Sequence, residues 1–218
     1  MNDQIYETQR IKELLNSAKN IAIMPSQVAG VDAFCAGAGL YYSLLQMDKQ
    51  ASLVYLGTVP EECGHIVNSD QLTDDIFSRK LVISIDYSDT PASKLAYSNE
   101  NNILQLVLSP VSKDFDSSKV KTKIQGYNFD LVLMVGVQSP EDLGQVHREL
   151  RDDLNMSKVV NIDNTNLNTR HGYINLIDTT ASNLSNIVFK LLSKMEIVPD
   201  TKAAKALLIG MTYRDPLS

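Results

Sequence analysis

Three aspartates, Asp32, Asp86 and Asp163, stand at or just after the ends of apolar runs of strand length, and a fourth, Asp215, lies close to the C-terminus. Carboxylates gathered at the ends of neighbouring strands can hold divalent cations, and those cations activate a water for attack at phosphorus. A second candidate is the polar loop Asn164–Arg170 followed by Gly172. There Asn168, Thr169, Arg170 and Gly172 could hold a phosphate through backbone amides, a hydroxyl and a guanidinium. Each has a plainer reading. Asp32 suits a helix N-cap better than a ligand, Asp163 suits an acceptor for the Asn164–Asn168 turn, and the loop suits solvation. His65, His147 and His171 are dispersed and read as surface or partly buried imidazoles. Cys35 and Cys63 are too few for a disulfide framework or a zinc site and read as buried, reduced thiols.

The elements that must position these groups follow from periodicity. Residues 7–19 place Ile11, Leu14, Leu15 and Ala18 at helical spacing, leading into NIAIMP, a buried strand closed by Pro25. A helix capped by Asp32 runs to Met47, and its Gly37-Ala38-Gly39 lies inside the helix rather than in a dinucleotide-binding turn, so it serves packing. ASLVYL, LVISID, NILQLVL, FDLVLMV and KVVNID are strands; Pro140–Leu154, Thr179–Met195 and Asp200–Gly210 are helices. The alternation implies an α/β fold, a mostly parallel sheet flanked by helices, whose sites lie at the carboxyl ends of strands. Residues 57–125 break it and are expected to form an irregular or hairpin-containing insertion.

Composition sets the outer bounds. With 218 residues, 44% hydrophobic and 21% charged, the chain can bury a sizeable core. Its net charge of −6 gives no global field for nucleic acid or anionic lipid. The N-terminus lacks the basic start and apolar core of a signal peptide. No apolar run approaches the roughly 18 residues of a membrane span, so a cytoplasmic protein is expected.

Val159–Leu192 resembles the third signature of the DHH phosphoesterase superfamily, as found in the N-terminal domain of RecJ-like and oligoribonuclease-like members. In that signature a strand ends in Asp-His-His, an Asn follows three residues later, and an aromatic-Gly pair comes next. Here the strand ends Asp163-Asn164-Thr165, Asn168 and Gly172 keep the family's Asn and Gly, and His171 replaces the aromatic residue. The first motif, His-x-x-Pro-Asp-x-Asp-Ala-x-Gly-Ser, is similar to Ser26–Ala36, with Ser26 for His, Ala29 for Pro, Gly30 for the first Asp, and Asp32 kept. The second resembles Asp130–Gly144, with Gly136 where the metal-bridging Asp belongs; Asp86 lies too far upstream and is assigned to the insertion. The last resembles Gly210–Asp215, with Arg214 at the Asp position.

The resemblance implies two Mn²⁺ or Mg²⁺ ions held by carboxylates and imidazoles. Only Asp32 and Asp163 survive as ligands, and two carboxylates without bridging partners bind such ions weakly. The expectation is therefore a catalytically degenerate domain without a cofactor, retained for a protein partner or a nucleotide-like ligand, with homodimerisation left open. The alternative is an active Mn²⁺- or Mg²⁺-dependent phosphodiesterase or phosphatase using Asp32, Asp86, Asp163 and Asp215, acting on short oligonucleotides, cyclic dinucleotides or phosphoadenosine phosphate. Residues 1–218 read as one such domain, ending where the family's substrate-binding C-terminal domain would begin.

Overall fold

In the computed structural model, residues 2–73, 76–77, 79–88 and 92–214 are described, with the side chains of 2–5, 124 and 125 excepted. The chain divides into two compact units, Met1–Phe77 with Tyr127–Ser218, and Ser78–Gly126.

The larger unit is an α/β domain. Six strands form one parallel sheet in the order β10-β9-β8-β1-β2-β3. They are β1 (Asn20–Pro25), β2 (Gln50–Val54), β3 (Leu72–Thr73), β8 (Leu131–Val135), β9 (Lys158–Asp163) and β10 (Ile174–Ile177). The central strands are apolar on both faces because helices cover both, as parallel sheets require. Ile21, Ile23, Leu131, Leu133, Val160 and Ile162 face one layer, built from α1 (Asn2–Ser17), α2 (Gly30–Gln46), α4 (Leu184–Lys194) and α5 (Thr201–Thr212). Ala22, Met24, Val132, Met134 and Val159 face the other, where α3 (Gln145–Met156) contributes Val146, Leu150 and Leu154.

Several boundaries differ from the sequence reading. The helix expected from Pro140 is split: Ser139 and Asp142 form a capping box on a 3₁₀ turn, Pro140–Leu143, and Gly144 at φ 55° turns the chain before α3 starts. The helix expected from Thr179 begins only at Leu184. Asp178 holds the Thr180 amide and hydroxyl, and Asn183, extended at φ −158°, caps α4 by accepting from the Asn186 amide. Arg214 lies beyond α5, donating to the Met211 and Tyr213 carbonyls, while Asp215 lies outside the described residues.

The smaller unit contains the irregular region, which begins later than residue 57 because 57–77 stays with the main sheet through β3. It holds two antiparallel ribbons. β4 (Lys80–Ile85) pairs with β7 (Val120–Gln125), and β5 (Lys94–Glu100) forms a hairpin with β6 (Ile103–Ser109). LVISID and NILQLVL are therefore strands as expected, but each pairs with a polar segment rather than with the other.

Candidate functional site

Pro25, Val135 and Ile162 lie in register across β1, β8 and β9, so Ser26, Gly136 and Asp163 follow side by side at the carboxyl end of the sheet. Each is tied into the scaffold. The Ser26 amide donates to the Val135 carbonyl at 2.9 Å, and its buried Oγ accepts from the Val28 and Ala29 amides at 3.2 and 3.3 Å. Ser26 thus shapes the turn into α2. Gly136 has φ 69°, and a Cβ there would lie 2.8 Å from both Ala29 Cβ and Leu184 Cδ1 and 3.2 Å from Ala33 Cβ. Apolar packing fills the space a side chain would need.

Asp32 is not at the cap position of α2, which Ala29 occupies. It lies in the first turn of α2 and reaches across to the N-terminus of α4. Its carboxylate accepts from the Leu184 amide at 2.6 Å, the Ser185 amide at 3.1 Å and the Ser185 hydroxyl at 2.7 Å. A carboxylate there neutralises unpaired helix amides and meets the positive end of the helix dipole. It caps α4 from another element, something local sequence cannot reveal.

Asp163 is buried. Its Oδ1 accepts from the Asn164 amide at 2.8 Å and its Oδ2 from Asn168 Nδ2 at 2.7 Å, the role expected of a turn-holding aspartate. Alternation along β9 places it with Val159 on the α3 side of the sheet. Asp32 belongs to the opposite helix layer. The two retained acids thus serve different layers.

Asn168 is the centre of the loop. Its Nδ2 also donates to the Val137 carbonyl, and its Oδ1 accepts from Asn161 Nδ2 and the Arg170 amide. The Thr169 amide and hydroxyl both donate to the Gln138 carbonyl, at 2.8 and 3.0 Å. The Gly172 amide donates to Asn175 Oδ1, and a Cβ at Gly172 would lie 2.7 Å from the Ile174 carbonyl oxygen. Of the four loop candidates only Arg170, at φ 54°, has an exposed side chain without such an internal bond among the described residues.

These residues do not fit a two-metal centre. Among the described residues, no three His, Cys, Asp or Glu side chains are grouped to hold an ion. Asp86 belongs to the smaller unit, where hydrogen bonds from Ser88 hold its carboxyl below the usual range. Cys35 and Cys63 are buried free thiols with sulfurs 2.8 Å apart; their mutual hydrogen bond pushes Cys35 up and Cys63 down.

A cavity of about 260 Å³ opens between α3 and the crossover into β10. His147, Arg151 and Asn155 line it from α3, and His171 and Tyr173 from the crossover, over Met134, Pro140, Leu154 and Val159. His171 Nδ1 is 3.2 Å from Thr169 Oγ1, while its Nε2 is buried without a hydrogen-bond partner. Burial holds this imidazole below its usual pKa, against the pull of Glu141, Asp142 and Asp163. Sequence reasoning missed this grouping. Its signal was the i, i+4, i+8 spacing of His147, Arg151 and Asn155 in α3, which kinks at Leu150. A larger cleft of about 560 Å³ is lined, among the described residues, by Tyr55, Leu56, Gly57, Ser69, Leu72, Phe77 and Gln145, none of them charged.

No protein-family model and no curated protein matches the sequence. Among solved structures, the chain is similar to an exopolyphosphatase-related protein from Bacteroides fragilis, with a TM-score of 0.61 at 12% identity. The match covers 96% of this chain and 53% of that one, so the chain spans about half the length of its structural neighbour. At that identity the likeness is one of fold alone.

Proposed function

We propose that this chain is a phosphoesterase-like domain of the DHH type that has lost two-metal hydrolysis and been retained to bind a protein partner or a nucleotide-like ligand. The packing at Gly136 carries the reading. The position aligned with the bridging carboxylate has no room for a side chain, because Ala29, Ala33 and Leu184 occupy it. Two further features agree: Asp32 is committed to α4, and Ser26, aligned with a family histidine, holds a turn.

The test is hydrolysis with Mn²⁺ of bis(p-nitrophenyl) phosphate and of short oligonucleotides, comparing wild type with Asp163→Ala. The expected result is the same background rate for both proteins. Turnover that Asp163→Ala abolishes, with the variant still folded, would overturn the reading.

A further inference from the structure

We propose that this chain associates with a second copy of itself through the free edge of β5, the two β5–β6 hairpins joining as one four-stranded antiparallel sheet with its two-fold axis at Tyr97. The proposal concerns the smaller unit and stands apart from the reading of the strand-end residues.

Within Ser78–Gly126 no described side chain is buried. The β5–β6 ribbon nonetheless carries a continuous apolar face. Its register sets Leu95 opposite Leu108, Tyr97 opposite Leu106 and Asn99 opposite Leu104, and Leu95, Tyr97, Leu104 and Leu106 are 69%, 78%, 62% and 45% exposed. A lone two-stranded hairpin is marginal in water, whereas three or more strands that share an apolar face can sustain themselves. Further strands are what this ribbon lacks.

The backbone shows where they fit. Asn101 and Asn102, at φ 52° and 62°, make the two-residue turn of type I′ that joins β5 to β6. Such a turn closes on the hydrogen-bonded pair Glu100–Ile103, so the alternate pairs Ser98–Gln105 and Ala96–Val107 bond inward as well. The amides and carbonyls of Leu95, Tyr97 and Asn99 therefore face the opposite edge, where no strand pairs among the described residues. Sheet edges are usually protected by proline, a bulge or an inward-pointing charge. β5 has none of these: its seven residues pair with β6 without interruption, and its only charges are Lys94 and Glu100 at its two ends.

Those two charges select the occupant and the register. Both side chains are exposed and have no ion-pair partner among the described residues. A strand with a cation at its start and an anion at its end is complementary to its own antiparallel copy. With Tyr97 opposite Tyr97, Lys94 lies opposite Glu100 of the second copy, and the symmetry repeats the pair. Leu95 then lies opposite Asn99, so the backbone groups that face the free edge meet each other and extend the ladder. The apolar faces of the two hairpins fall on one side of the joined sheet. In-register parallel pairing would instead set Lys94 beside Lys94 and Glu100 beside Glu100.

Sedimentation equilibrium of the full chain at low salt, from about 5 to 500 µM, is the test. A monomer–dimer equilibrium with a dissociation constant of about 10–100 µM is expected, as suits a small interface. Lys94→Glu sets like charges opposite each other at both ends and should weaken dimerisation by about tenfold or more, with an unchanged circular dichroism spectrum because the side chain is exposed. Adding Glu100→Lys recreates both opposite-charge pairs and should bring the dissociation constant back to within about threefold of wild type. A chain that stays monomeric throughout would overturn the proposal and leave the edge to a strand of a different protein. Association indifferent to Lys94→Glu would overturn it too, as would a double variant that fails to restore the dimer.

Discussion

A carboxylate that could hold a metal can instead hold a helix, and Asp32 does the latter. Three donors from Leu184 and Ser185 converge on it across 152 and 153 residues of sequence. Hydrogen bonds to a charged acceptor contribute roughly 1.5–3 kcal/mol, and removing the acceptor leaves part-buried amides unpaired. Asp32→Ala should therefore cost about 2–4 kcal/mol in urea unfolding. A metal-binding carboxylate released from repulsion would give the opposite sign, a variant as stable as wild type or more so. The sequence placed Asp32 at a helix start but could not identify which helix it caps, because the partner lies in another element. Asp163 was easier to read, since its acceptors serve a turn immediately beyond it. Gly136 showed only an omission in sequence, and the neighbours that fill the space are distant in the chain.

At the scale of elements, the larger unit follows the patterns visible in sequence. β1 and β8 carry continuous apolar runs, β9 an apolar run interrupted by Asn161, and α2 and α5 carry the small residues that let them approach. β3 has two residues and leaves no periodic signal. The smaller unit was hardest to read because its ribbons join strongly apolar strands to polar ones. Leu95, Tyr97, Leu104 and Leu106 remain exposed there, so no buried face imposed an alternating pattern. The larger unit closes on itself around the insertion, however: the Tyr127 amide donates to the Ile76 carbonyl at 3.1 Å, and both residues are buried in that unit. Replacing Ser78–Gly126 by a short Gly-Ser linker should leave the larger unit folding cooperatively, with a stability change within about 2 kcal/mol. Circular dichroism and urea unfolding would show it; a non-cooperative, dye-binding product would show that the smaller unit is needed for folding.

For the whole molecule, the fold and the chemistry point in different directions. The fold is similar to that of an exopolyphosphatase-related structure over 96% of this chain. The residues at the strand ends are engaged in turns, caps and packing, while the group of basic and amide side chains lies over the α3 face. No described helix is long and apolar enough to cross a membrane. Calorimetric titration of Mn²⁺ into the full chain at neutral pH tests the central claim most directly. The account predicts no saturable heat below about millimolar Mn²⁺, since carboxylates tied to amides do not offset metal dehydration. Micromolar binding that disappears in Asp163→Ala would contradict it.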